Sequence, residues 1–217
     1  MTPTAHFAIA IDGPAASGKS TIARELAKRL GLVMVNSGAM YRAVTWQVLE
    51  HQIDPHDTPK VLELLDRLTI DCGDDGFSST LTINGRDPGE ALRSPAVNAN
   101  VSIIAAIPAV RTRLVALQRD YLNRTDVVME GRDIGSVVFP ETPYKIYVDA
   151  AEHIRAARRV DMGEVDSVAH RDAADSQRTT APLIVADGAT VLDNSAHTVE
   201  SAIAATLQIL KQQGLPL

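Results

Sequence analysis

Eight consecutive residues, Gly13-Pro14-Ala15-Ala16-Ser17-Gly18-Lys19-Ser20, carry the spacing G-x-x-x-x-G-K-S. Glycines and small side chains at this spacing let successive backbone N–H groups curl round phosphate oxygens. The lysine then reaches the terminal phosphates of a nucleotide, and the hydroxyl that follows can ligate magnesium. Lys19 and Ser20 fill those two places, with Thr21 next in line. A Gly-rich turn with a surface lysine would share the letters but not the setting. Here the apolar run Phe7-Ala8-Ile9-Ala10-Ile11 precedes the loop, and Ile22, Leu26 and Leu30 recur behind it at helical spacing until Gly31 stops the pattern. A helix starting at the loop directs unpaired N–H groups and its positive dipole end at a bound anion.

Other residues with chemical potential lie far along the chain. Arg42 falls near the start of a second helical pattern, marked by Met40, Val44 and Val48 with Ser37 as the expected N-cap. The helix dipole disfavours a cation there, so this arginine either points at solvent or serves an anion. Arg132 and Asp133 follow the strand candidate Asp126-Val127-Val128-Met129-Glu130 within Gly131-Arg132-Asp133-Ile134-Gly135. In a doubly wound sheet, ligand groups gather past the carboxyl ends of the strands, which places both residues toward the Gly13 loop. Ser102 and Arg111 sit on two further helices, and their spacing alone is equally that of ordinary helix surface. Arg155, Arg158, Arg159, Arg171 and Arg178 bracket a polar stretch at 160–170, with Asp175 among them. They read either as a basic flap or as a solvated face balanced by Asp161, Glu164, Asp166 and Asp172.

The elements that must position these groups follow from periodicity. Leu32-Val33-Met34-Val35 is a second buried strand, Lys145-Ile146-Tyr147-Val148-Asp149 a fourth, and Ala189-Thr190-Val191-Leu192-Asp193 the last, before a terminal helix with Val199, Ile203, Leu207 and Leu210. Residues 58–68 form a short helix with Val61, Leu62, Leu65 and Leu68 on one side. Thr69 to Cys72 and Thr80 to Ile83, with Asn84-Gly85 after them, read as small antiparallel strands of an inserted lobe. Ser94-Pro95 and Pro108 start two more helices, the second with Val110, Leu114, Leu117 and Tyr121 on its face.

A chain of 217 residues with 45% hydrophobic residues suits one α/β domain with insertions. The net charge of −6, with both signs interspersed, excludes a general nucleic-acid surface, so any basic site must be local. Cys72 is the single cysteine, which excludes an intrachain disulfide and fits a reducing compartment; no thiol or zinc chemistry is suggested, and a neutral, buried thiol is expected. The N-terminus lacks a basic region followed by a long apolar one, and no apolar run nears membrane-spanning length, so a cytoplasmic location is expected. Residues 1–6 read as a loose end.

With IAIDGPAASGKST at Ile9 to Thr21, SGAMYRAV at Ser37 to Val44 and EGRDIGSVVFP at Glu130 to Pro140, the chain resembles the bacterial cytidylate (CMP) kinases of the nucleoside monophosphate kinase superfamily. The phosphate loop is widely shared; SGAMYR followed by GRDIG is far more specific. The likeness runs from about Ala8 to the last helix. It implies a P-loop NTPase α/β fold, with a parallel central sheet flanked by helices, in a single domain over residues 1–217: a core at about 7–57, 104–150 and 179–217, an inserted monophosphate-binding lobe at about 58–103, and a short lid at about 151–178. It implies phosphorylation of CMP, and of dCMP, by ATP with Mg2+. Small-molecule substrates are the partners, with no nucleic acid and no membrane, and a monomer is expected.

By the same resemblance, Lys19, Arg42, Arg132 and Arg171 are the catalytic cations, with Arg42 and Arg132 on the acceptor phosphate. Residues Gly13 to Thr21 and Arg159 hold ATP, and Ser20 holds the metal. Ser102, Arg111 and Asp133 match cytosine-reading positions: a carboxylate accepts from the N4 amine and an arginine donates to O2 and N3. Ser37, Tyr41, Arg171, Asp175 and Arg178 match positions that line the nucleoside or close over the phosphates.

The chain departs from the pattern in three places. Asn36 and Glu130 stand where relatives carry aspartate, and the stretch between Arg159 and Arg171 is shorter than usual. A shorter lid shields the phosphates less, so hydrolysis of ATP without acceptor is expected. Two competing functions share these motifs: a P-loop kinase for another small acceptor, and a nucleotide-binding regulator without transfer activity.

Overall fold

The structure, a computed structural model, describes residues 6–161 and 168–216; the side chains of residues 168–171 lie outside the described part. Five strands form one parallel sheet: β1 (Ala8–Asp12), β2 (Val33–Asn36), β5 (Val127–Gly131), β6 (Lys145–Asp149) and β7 (Thr190–Asp193), in the spatial order β2-β5-β1-β6-β7. Between them in sequence, the hairpin strands β3 (Ile70–Asp74) and β4 (Ser79–Ile83) pair antiparallel. β1 is central and wholly buried, which is why its sequence is a continuous apolar run rather than an alternating one.

Alternate residues of the sheet feed two cores, as the two-residue period of a strand requires. Ala8, Ala10, Val33, Val35, Val127 and Met129 face one cluster together with Met40, Val44 and Val48 of α2 (Ser37–Glu50). Ile9, Ile11, Met34, Val128, Ile146 and Val148 face the other, with Ile22 and Leu26 of α1 (Lys19–Leu30) and Leu210 of α8 (Val199–Gln212). α1 ends where the sequence indicates, with Gly31 in the left-handed conformation (φ 67°) donating its N–H to the Ala27 carbonyl.

The segment expected as an inserted lobe shares the core. Val61, Leu64 and Leu65 of α3 (Thr58–Arg67), Ile70, Ile83, and Val101 and Ile104 of α4 (Pro95–Ala106) belong to the same cluster as β2 and β5. The Met34 N–H donates to the Phe77 carbonyl (2.9 Å), and the Tyr121 hydroxyl donates to the Gly73 carbonyl (2.8 Å). Ser94 caps α4 from its side chain, whereas α5 (Pro108–Asp120) starts on a proline with no side-chain cap. Cys72 is half-buried, and burial pushes its thiol up to about 11, so it is neutral. His6 lies within hydrogen-bonding distance of Asp126 (3.1 Å), which ties down the last residue of the expected loose end; the rest of that end lies outside the described residues. Among the described residues, no single helix is long and apolar enough to cross a membrane.

Candidate active site

The sheet order reverses at β1, whose neighbours β5 and β6 both lie later in sequence, and the crevice at its carboxyl end is where such sheets bind ligands. The Gly13 loop occupies that crevice. A Cβ on Gly13 (φ 150°) would stand 2.1 Å from the Val148 carbonyl oxygen, and one on Gly18 (φ 97°) 2.4 Å from Asn194 Nδ2, so neither position accepts a side chain. Ala16 is also left-handed (φ 57°), and Ser17 is fully buried. Lys19 is 6% exposed, and its Nζ donates to the Pro14 carbonyl (2.9 Å), curled within the loop it serves. The Thr21 N–H returns to the Gly18 carbonyl (3.1 Å), which begins α1. The Ser20 hydroxyl donates to Glu130 Oε1 (3.0 Å), so Glu130, at the end of β5, directly reaches the serine expected to hold the metal.

Residues from distant segments brace this loop. Arg158 Nη1 donates to the Ser17 carbonyl (3.1 Å), and its Nη2 donates to the Asn194 carbonyl (2.9 Å). Asn194 Nδ2 in turn donates to the Ser17 carbonyl (2.8 Å). Arg155 Nη1 also reaches the loop backbone, at the Ala15 carbonyl (3.4 Å), and Arg159, expected at ATP, is buried on the same helix, α6 (Glu152–Asp161). Arg155 is buried too, donates to the Ala150 carbonyl (2.7 Å) and pairs with Asp172 of α7 (Val168–Ser176). Neither half of the basic segment is therefore a simply solvated face. The Arg171 side chain and the stretch 162–167 lie outside the described residues.

On the acceptor side, α2 is capped by Asn36, not by Ser37: Asn36 Oδ1 accepts the Ala39 N–H (3.1 Å). Ser37 is the first helical residue, and its hydroxyl donates to the Glu130 carbonyl (2.8 Å), pinning the first turn of α2 to the end of β5. The amide of Asn36 performs the capping that an aspartate would, which accounts for that departure. Arg42 is half-buried and turned back toward the helix start, its Nη1 2.9 Å from where a Cβ on Gly38 would stand. A cation held beside the positive end of a helix suits an anion ligand.

Arg132 Nε donates to Asp175 Oδ2 (2.7 Å), and Arg178 Nη2 pairs with Asp175 Oδ1. Asp175 is 2% exposed, so one buried carboxylate presents an oxygen to each of two guanidinium groups. Burial opposes the Arg132 charge, but Asp175, with Glu130 and Asp172 behind it, holds its pKa above the usual value. Burial, with Arg111 and Arg132 nearby, outweighs Asp175 at Arg178 and lowers it. Asp172, three residues before Asp175 on the same helix, accepts the Ala15 N–H of the phosphate loop (3.2 Å). The two acids of α7 thus occupy anion positions on both sides of the crevice.

Arg111 and Asp133 form a buried ion pair, with side chains 4% and 5% exposed. Arg111 also donates to the Ala105 carbonyl (3.0 Å) and lies over the Tyr41 ring, 5.3 Å from its centroid. Burial keeps the Tyr41 phenol neutral, with a pKa of about 12. Arg111 is therefore not helix surface; Ser102 is half-buried on α4. Asp12 and Asn194 are residues that spacing does not single out, and Arg158 is one that it places only in the basic flap: each acts on a segment over a hundred residues away.

The family pattern described as cytidylate kinase matches residues 9–212. A cytidylate kinase of Limosilactobacillus fermentum is 41% identical over 207 residues, covering 90% of this chain and 91% of that protein. A bifunctional pantoate ligase/cytidylate kinase of Prochlorococcus marinus is 40% identical over 218 residues, 94% of this chain but 43% of that protein; the chain spans less than half the length of relatives of that kind. In fold, the solved structure of TT1252 from Thermus thermophilus superposes with a TM-score of 0.52 over 96% of this chain and 98% of that one, at 18% identity.

Proposed function

The chain belongs to the cytidylate kinase family, and on that premise we propose that it transfers the γ-phosphoryl group of ATP to CMP, and to dCMP, giving ADP and the diphosphate. The observation that supports the site reading best is the pair of acids on α7: Asp172 meets a backbone N–H of the donor loop while Asp175 spans two arginines across the crevice. Groups arranged to bind carboxylate oxygens in this way bind phosphate oxygens by the same charge-assisted hydrogen bonds. The domain division at about 58–103 and 151–178 and the monomeric state are part of the same proposal.

The Gly13 loop cradles the donor phosphates, and Lys19, released from Pro14, neutralises charge on the group in flight. Ser20, backed by Glu130, would hold Mg2+ beside the donor phosphates. The chemistry that such an ion would supply there is neutralisation of negative charge on the donor phosphates. Arg42 and Arg132 hold the acceptor phosphate, and Arg171 closes over the phosphates. Asp133 accepts from the cytosine amine and repels the oxygen that uracil carries there, with Arg111 and Ser102 on the other ring atoms and Tyr41 and Ser37 lining the nucleoside. A phosphate monoester with its second pKa near ~6 is mostly ionised at neutral pH, so the acceptor oxygen needs no strong base. Catalysis is positioning and charge neutralisation, with water excluded by α6 and α7. The single neutral thiol accords with a cytoplasmic setting.

The test is ADP release from ATP and magnesium with CMP, dCMP, UMP, AMP or no acceptor. Turnover highest with CMP or dCMP is expected, with measurable release in the acceptor-free lane because of the short lid. Equal or better turnover with another acceptor would overturn the substrate assignment.

A further inference from the structure

Asp12 closes β1 immediately before the donor loop and is 4% exposed. Its two carboxylate oxygens accept the backbone N–H groups of Ile134 (2.8 Å) and Gly135 (2.7 Å). These are the first residues of a wide turn, Ile134–Val138, in which Val138 N–H returns to the Asp133 carbonyl (3.1 Å) and Phe139 N–H to the Ile134 carbonyl (2.7 Å). The opening N–H groups of such a turn have no partner within it, and burial makes an unmade bond expensive. Asp12 supplies one oxygen to each N–H, whereas an amide would set an NH2 donor against one of them.

The position of the turn gives this bond its functional meaning. Arg132 and Asp133 directly precede Ile134, so the segment that meets the acceptor is tied to the last residue before the donor cradle by one side chain. Resting on the site reading above, we propose that Asp12 is a positioning residue for phosphoryl transfer, holding Arg132 and Asp133 in register with the Gly13 loop. It touches neither nucleotide. Its effect is on the relative placement of two binding segments, to which in-line transfer is sensitive at about an ångström.

The experiment compares Asp12→Asn and Asp12→Ala in the full chain by kcat and KM for CMP, with ATP affinity measured separately by equilibrium binding. Removing one and then both acceptor oxygens is expected to lower kcat/KM for CMP in steps, about tenfold and about a hundredfold, while the ATP dissociation constant stays within about threefold. Should Asp12→Ala fail to fold, Asp12→Asn alone carries the comparison. A kcat/KM for CMP within about threefold of the unaltered chain, or ATP affinity falling in parallel with it, overturns the proposal. Absence of CMP phosphorylation in the unaltered chain would instead overturn the site reading on which it rests.

Discussion

The Arg111–Asp133 pair can be broken with almost no change of volume by Asp133→Asn. Both side chains are about 95% buried, so the aspartate charge is what makes the buried guanidinium tolerable. Deleting one partner of such a pair costs about 3–5 kcal/mol, but asparagine keeps one acceptor oxygen for Arg111, so the loss should be nearer the ~1.5–3 kcal/mol of a hydrogen bond to a charged group. In a domain of this size about 1 kcal/mol moves the unfolding midpoint by about 2–4 °C, so a drop of roughly 3–12 °C is expected. The same change alters base choice. Asp133 Oδ2 faces Arg111, leaving Oδ1 as the atom that a cytosine amine would meet, and an amide in its place donates to the uracil oxygen as readily as it accepts from cytosine. Loss of one charge-assisted discrimination, about 1.4–2.8 kcal/mol, should lower the ratio of kcat/KM for CMP over UMP by about 10- to 100-fold. Thermal unfolding and steady-state kinetics with both nucleotides measure the two effects. A midpoint unchanged within a degree and an unaltered ratio would together refute the placement of Asp133 as both ion-pair partner and base reader.

Arg132→Ala should reduce CMP phosphorylation by at least about a hundredfold while ATP still binds, because the loop and Lys19 are untouched; unchanged turnover would remove Arg132 from the site. The pH dependence of stability should carry the mark of Asp12. Burial raises its pKa from 3.8 to about 7, the two N–H bonds and Arg132 only partly offsetting burial and the nearby Asp133. A carboxyl whose folded pKa lies above its unfolded value contributes stability that is complete below about pH 4 and lost as pH rises through 7. Asp12→Asn removes that loss, so its unfolding midpoint should gain on the unaltered chain from pH 5 to pH 8 even as its activity falls; parallel pH curves would contradict this.

Much of the donor side was legible from neighbours in sequence. The loop spacing, the apolar run ahead of it, the helical period behind it and the stop at Gly31 are local properties, and all appear in the structure as spacing indicates. The hairpin of the lobe and the proline-started helices were legible for the same reason. On the acceptor side, strand position alone directs Arg132 and Asp133 toward the loop, whereas the roles of Arg111 and Ser102 come only from the family likeness, because a lone arginine or serine on a helix has no local signature. Capping at α2 was misjudged by one residue because Asn36 and Ser37 are both good caps; what separates them is a carbonyl 93 residues away that takes the serine hydroxyl.

What the sequence by itself determined, then, is where the phosphate cradle lies and which segments are strand or helix, since those depend on side-chain period and backbone freedom within a few residues. Tertiary structure decided the rest. The strand order β2-β5-β1-β6-β7 puts β5 beside β1, and only then does Asp12 meet Ile134 and Glu130 meet Ser20. Arg158 and Asn194 become braces of the loop, and Asp175 the bridge between two arginines, because burial forces polar groups to find partners wherever the fold supplies them. Partner choice of that kind is a property of proximity in space, which residue spacing along the chain does not encode.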